Sequence, residues 1–163
     1  RLLTMQTRNS AAYKGIMALI LQDSPLDFMT GHRMDIASYI DEDADIHHIF
    51  PQTYCERKNL PRIKWNSVIN KTPIYASSNR SIGGHAPSIY IGTMANKGLM
   101  QVQIQEAIES HKINYAHLVS DDFNAYFIDR AKQLLDRIEI ATGKSVSGRD
   151  SEETIREFGF SLT

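Results

Sequence analysis

The stretch Asp45-Ile46-His47-His48-Ile49-Phe50-Pro51 decides how the chain is read. It places two adjacent histidines in a short β-prone run that a proline closes. Neighbours on an extended strand point to opposite faces. His47 and His48 can therefore take different tasks only where the strand edge is open, and Pro51 stops regular pairing just beyond them. Asn70 follows in Val68-Ile69-Asn70-Lys71-Thr72, and Asn79 in Ser77-Ser78-Asn79-Arg80-Ser81-Ile82-Gly83.

Around this stretch, residues 45–87 have poor helical periodicity and frequent turn formers. These include Pro51, Asn59-Leu60-Pro61, Pro73, Ser77-Ser78-Asn79 and Gly83-Gly84. Short strands and loops are expected here. On the N-terminal side, 9–22 carries Ala12, Ile16, Leu19 and Ile20 at helical spacing, with Asn9 or Ser10 as cap and Ser24-Pro25 as stop. A short helix is expected over 35–40, then a solvated acidic turn at Asp41-Glu42-Asp43.

On the C-terminal side, 88–94 and 101–110 are helix candidates separated by Gly98. The strongest helical pattern is 121–142, with Phe123, Phe127, Ala131, Leu134, Ile138 and Ala141 on one face. Ser120 is its expected cap and Gly143 its stop. A polar linker and a short helix over 152–158 complete the chain. The fold class expected is α+β and mostly helical. A β-containing core over 45–91 sits between helical flanks at 1–44 and 92–163.

The chain has 163 residues, 42% hydrophobic and 23% charged, with a net charge of −1. That is enough for one hydrophobic core in a soluble globular domain. The charge counts mildly against a nucleic-acid binder but allows a locally basic site. Cys55 is the one cysteine, so no internal disulfide forms, which fits a reducing, cytoplasmic setting. No run is long and apolar enough to span a membrane, and no signal-peptide plan is present. Arg1 stands first instead of Met, so the chain is read as a piece of a longer protein.

The histidines and asparagines suit one chemistry. Hydrolysis of a phosphodiester needs a water deprotonated near neutral pH and a cation to offset charge on the phosphorus oxygens. A neutral histidine serves as the base. His47 and Asn79, with waters, form a small ligand set that leaves positions open for phosphate. The Asn70 amide can donate and accept at once, which suits it to brace the loop after the first strand. A His-His pair alone is more often two ordinary histidines. The site reading rests on the pair together with Pro51, Asn70 and Asn79. Asn79 as a simple helix cap is the bland alternative.

His47-His48-Ile49-Phe50-Pro51-Gln52, then Asn70-Lys71, then Asn79-Arg80, resembles the HNH, or ββα-metal, motif in its H–N–N variant. The order and spacing are similar to HNH domains of RNA-guided CRISPR effectors, which have an acidic residue at the His47 position. Colicin-type nucleases carry a His-His pair whose first member is a ligand and second the base. The resemblance thus implies His48 and Asn70 as catalytic machinery, and His47 and Asn79 as metal ligands. It implies a divalent ion, Mg²⁺ first, with Mn²⁺, Ni²⁺ or Zn²⁺ admitted by the His/Asn donor set. Over 8–143 the chain resembles the C-terminal HNH domain of GmrSD-like proteins. There it follows a nucleotide-hydrolysing, targeting domain in a bacterial restriction or anti-phage nuclease acting on DNA.

Lys71, Arg80, His85 and Arg130 are the further substrate-binding candidates. His85 is read first as a loop histidine, and Arg130 first as a structural salt-bridge partner. Two rival functions remain at this point. One is a catalytically inactive HNH-like module that docks DNA or protein. The other, weaker, is a structural zinc site from His47, His48 and Cys55, which lacks CxxC-type spacing.

Overall fold

The structure is a computed structural model that describes residues 1–40 and 44–163. The acidic run Asp41-Glu42-Asp43 lies outside the described residues. Helix α1 (Ala11–Gln22) is capped by the Ser10 hydroxyl, which accepts from the Tyr13 amide, and buries Tyr13, Ile16, Met17, Ile20 and Leu21. After α2 (Ile36–Ile40), strand β1 (Ala44–His48) pairs antiparallel with β2 (Lys71–Tyr75). The register sets His47 opposite Thr72 and His48 opposite Lys71. With only two strands both are edges, which is why Pro73 is tolerated in β2.

Between the strands run α3 (Gln52–Arg57), α4 (Arg62–Trp65) and a 3₁₀ turn at Val68–Asn70. Helix α5 (Ala76–Ile82) follows β2 directly. The expectation of only strands and loops over 45–87 is therefore corrected. Pro51 and Pro61 precede α3 and α4, where a missing N–H costs nothing. Segments of four to seven residues are also too short to display a 3.6-residue period.

The rest is helical: α6 (Pro87–Asn96), α7 (Gln101–Glu109), α8 (Tyr115–Val119), α9 (Phe123–Thr142) and α10 (Glu152–Phe158). The class is α+β and mostly helical, as expected. The cap of α9 is Asp122, which accepts from the Ala125 amide, and Gly143 ends the helix in the left-handed conformation at φ 66°. Ala141 turns out to be exposed, so the buried stripe of α9 stops short of its last turn.

Three polar side chains inside the core fix the sheet against the helices. The buried Asp27 carboxylate accepts from the Tyr75 amide at 2.8 Å and from the Ser78 hydroxyl at 2.6 Å, which anchors the start of α5. Tyr90 of α6 donates to the Ile49 carbonyl at 2.8 Å, just past β1. Tyr126 of α9 donates to the Ile69 carbonyl at 3.1 Å, just before β2. The contacts to the Tyr75 amide and to the Ile49 and Ile69 carbonyls give backbone groups at the ends of the sheet buried partners.

Candidate active site

A pocket of about 210 Å³ opens beside β1. Its walls include His47 and His48 from the strand, Gln52 and Thr53 from the start of α3, and Asn79 from α5. Gly83 and Gly84 close the rim. Gly84 is required there by close approach, because a Cβ on it would meet the Thr53 hydroxyl oxygen at 2.2 Å.

His47 is buried, and its Nδ1 lies 2.9 Å from Asn79 Oδ1. The other end of the same amide donates from Asn79 Nδ2 to Asp45 Oδ2 at 2.8 Å. Asp45 and His47 are two residues apart on β1 and so share a face. The carboxylate fixes the amide: turned round, its oxygen would face Asp45. Among the described residues His47 Nε2 is buried without a hydrogen-bond partner, and the Phe28 and Tyr90 rings stand T-shaped to the imidazole at centroid distances of 5.9 and 5.7 Å.

These contacts admit two protonation arrangements. With the proton on Nδ1, His47 donates to Asn79 and leaves an orphan lone pair on Nε2. With the proton on Nε2, that N–H has no acceptor among the described residues. Only in that second arrangement do the Nδ1 lone pair and the Asn79 oxygen both face one point as donors to a cation; in the first, the same 2.9 Å is an ordinary hydrogen bond. Two cis donors of an octahedral ion at about 2.1 Å stand roughly 3.0 Å apart, close to the 2.9 Å observed. The residues present therefore fit a divalent ion held by His47 and Asn79. They do not form a cage: no group of three or more His, Cys, Asp or Glu converges among the described residues. Burial holds the His47 pKa down at about 4, against a smaller opposing effect from Asn79, so the ring is neutral and available as a ligand.

His48 points elsewhere. Its Nε2 lies 3.2 Å from Asn66 Oδ1, and the Trp65 ring stands against it at 5.8 Å. Burial lowers its pKa as well, with Asn66 opposing and Lys71 adding to the shift, so it too is uncharged near neutral pH. Asn70 braces this region, as its amide predicts. Its Oδ1 accepts from the Phe50 amide, and its Nδ2 donates to the carbonyls of Phe50 and Trp65, all at 2.9 Å.

The expected substrate-binding residues divide. Arg80 and His85 are exposed near the rim. Lys71 and Arg130 are corrected by burial. The Lys71 ammonium donates to the Gln6 carbonyl at 2.7 Å and stands over the Tyr13 ring, and desolvation lowers its pKa to about 8. Arg130 is buried in α9 and donates to the carbonyls of His111, Val68, Ile69 and Lys71. It has neither the expected salt bridge among the described residues nor any route to DNA. Cys55 is buried, donates to the Phe50 carbonyl, and has a thiol pKa pushed up to about 12 by burial; among the described residues it joins no group of three or more metal-ligating side chains.

Asp45 and Asn66 are the residues that the sequence reading passed over. Asp45 had a signal, an acidic residue two before His47. Asn66 had none, because its closeness to His48 arises only when the loop folds back.

An uncharacterized protein of Methanocaldococcus jannaschii is 30% identical over 156 residues, which cover 82% of this chain and 26% of that protein. The chain thus spans about a quarter of the length of that relative. No family model and no solved structure matches the chain.

Proposed function

We propose that the chain is a metal-dependent endonuclease domain of the HNH, or ββα-metal, class, which nicks or cleaves DNA with His48 as general base. β1, β2 and α5 are then its ββα-metal core. The observation that carries this reading is the splitting of the two adjacent histidines around one pocket: His47 meets Asn79, and His48 meets Asn66. A module that only docks DNA has no need for two neutral imidazoles held in different surroundings. Nor does it need an asparagine spanning the loop behind them.

In this reading His48 takes a proton from water, and the resulting hydroxide oxygen attacks phosphorus. The P–O bond to the leaving sugar oxygen breaks, and that oxygen takes its proton from solvent. A divalent ion held by His47 and Asn79, Mg²⁺ foremost, would offset the charge that builds on the phosphate oxygens. Asp45 keeps the Asn79 oxygen turned toward that position. Among the described residues no helix is long and apolar enough to cross a membrane, which is consistent with a cytoplasmic defence or restriction nuclease. Targeting to chosen DNA falls to a further, nucleotide-hydrolysing domain of a longer protein.

Plasmid nicking tests this. Supercoiled plasmid should be relaxed in Mg²⁺ or Mn²⁺, preserved in chelator, and preserved by His48→Ala. Relaxation at equal rates in all three conditions overturns the reading. Absence of nicking alongside intact DNA binding favours the inactive docking module.

A further inference from the structure

His48 has one side-chain hydrogen bond among the described residues, and its partner is Asn66. That partner comes from a different element and is held from two sides. Asn66 ends α4, where its backbone N–H bonds to the Arg62 carbonyl at 2.9 Å. The preceding carbonyl, of Trp65, accepts from Asn70 Nδ2. The same Asn70 amide bonds both backbone groups of Phe50, two residues past His48. One buried side chain therefore ties together the segment carrying the histidine and the segment carrying its partner. The Trp65 ring stands edge-on against one side of the imidazole at 5.8 Å. The charged or titratable neighbours are engaged by other partners, although Lys71 acts on His48 through its charge. Lys71, opposite on β2, spends its ammonium on the Gln6 carbonyl, and His47 turns to Asn79.

A neutral imidazole can act as a base only through the nitrogen that lacks the proton, and the hydrogen bond at the other nitrogen decides which one that is. We propose that Asn66 is a positioning residue for His48: its side-chain oxygen holds the proton on Nε2 and leaves Nδ1 as the basic nitrogen. This rests on the nuclease reading for its consequence, but the tautomer is a property of the folded chain alone. The Asn66 amide turned the other way would donate to Nε2 and impose the opposite tautomer, so the proposal can fail outright. It also gives Asn70 a second effect, since any slack there separates Asn66 from His48.

The test is a long-range ¹H–¹⁵N spectrum of the ¹⁵N-labelled full chain at fixed neutral pH without metal, with the His48 signals assigned by comparison with His48→Gln. The expected result is a protonated, pyrrole-like Nε2 and a pyridine-like Nδ1. Asn66→Leu, which keeps the volume but removes the acceptor, should shift both signals toward mixed tautomers, and Asn66→Asp should restore the wild-type pattern. In plasmid nicking, Asn66→Leu should lower kcat about 10-fold or more, the scale of lost outer contacts to a functional histidine. KM should stay unchanged, and Asn66→Asp should rescue. A proton on Nδ1 in the wild type overturns the proposal, even if Asn66→Leu fails to fold. So does a folded Asn66→Leu with unaltered His48 signals. If the wild-type chain nicks nothing, the spectrum still decides the tautomer, and only the nuclease reading falls.

Discussion

The Asp45 carboxylate accepts a hydrogen bond from the Asn79 amide at 2.8 Å, and that contact decides which end of the amide faces His47. An asparagine free to turn would present its oxygen only part of the time. Asp45→Ala should therefore weaken Mn²⁺ binding by roughly 10-fold, as outer partners of metal ligands do. His47→Ala and Asn79→Ala should weaken it more. Arg8→Ala is the control, because the Arg8–Asp45 pair is largely exposed and contributes little. Titration calorimetry with Mn²⁺ reads all four variants. Equal affinity in wild type, His47→Ala and Asn79→Ala would sink the ligand assignment.

His48→Ala separates base from ligand. The ring contacts Asn66 and Trp65, not Asn79, so its removal should leave Mn²⁺ affinity within a factor of about two. Nicking should fall by about 10²–10⁴-fold, the usual contribution of a general base. Melting temperature and Mn²⁺ binding measured beside the nicking rate distinguish this from unfolding. A wild-type nicking rate removes the central claim.

The legibility of this site in the sequence follows how its contacts are made. His47, His48, Asn70 and Asn79 could be read from a strand closed by Pro51, from their spacing and from the resemblance that spacing carries, whereas the place of Asn79 in the middle of α5 could not. The burial of Lys71 and Arg130 could not either. A basic residue beside a motif looks like a phosphate contact until the chain is folded. Only then does the Lys71 ammonium meet the Gln6 carbonyl, and Arg130 a ring of carbonyls that no carboxylate accompanies among the described residues. Asn66 was hidden for the same reason, since eighteen residues separate it from His48. In the fold, the long helices α1 and α9 were visible by periodicity, whereas α3, α4 and α8 span too few turns to show one.

Asn70→Ala should affect stability and activity together. Three backbone groups, the Phe50 amide and the Phe50 and Trp65 carbonyls, lose a buried partner. The Phe50 carbonyl keeps the weak Cys55 thiol donor, and the orphaned Phe50 amide and Trp65 carbonyl each cost about 1–3 kcal/mol. A total loss of at least about 2 kcal/mol, or roughly 5 °C or more in melting temperature, is expected for a chain of this size. Calorimetric melting checks it. An unchanged melting temperature refutes the bracing role.

His111 makes the fold acid-sensitive. Its ring is buried, pairs through Nδ1 with the Thr72 hydroxyl at 2.6 Å and through Nε2 with the Leu26 carbonyl at 2.7 Å, and has its pKa pushed down to about 3 by burial. The folded state then binds fewer protons than the unfolded chain, whose histidines titrate near 6.5. The stability is fully present above pH ~6.5 and is lost as pH falls toward about 3, at up to ~1.4 kcal/mol per pH unit. His47 shifts in the same direction. Urea unfolding between pH 7 and 5 should show this slope. His111→Gln should be less stable at pH 7 yet lose less between pH 7 and 5. Equal slopes in variant and wild type would remove the assignment.

On the proposed nuclease reading, a cluster of cations offered to DNA lies on the α3–α4 segment, apart from the exposed Arg80. Arg57, Lys58, Arg62 and Lys64 fall within eight residues, and none forms an ion pair among the described residues. Arg57, Lys58 and Arg62 are exposed. The segment starts at the pocket wall with Gln52 and Thr53 and ends at Trp65 and Asn66, beside His48. Four cations are a modest electrostatic resource in a chain of net charge −1. Binding affinity falls with salt at a logarithmic slope of about −0.9 per phosphate neutralised on duplex DNA. The wild-type slope should therefore lie near −3 to −4, and Arg57→Ala with Arg62→Ala should bring it to roughly −2. Binding should be weak and nearly indifferent to sequence or base modification. Fluorescence anisotropy on modified and unmodified duplexes over a salt series reads both quantities. A slope unaltered by the double substitution places the contact surface elsewhere. Affinity on the order of 10⁻⁸ M at physiological salt, with preference for one duplex, would mean that this domain carries its own recognition and needs no targeting partner.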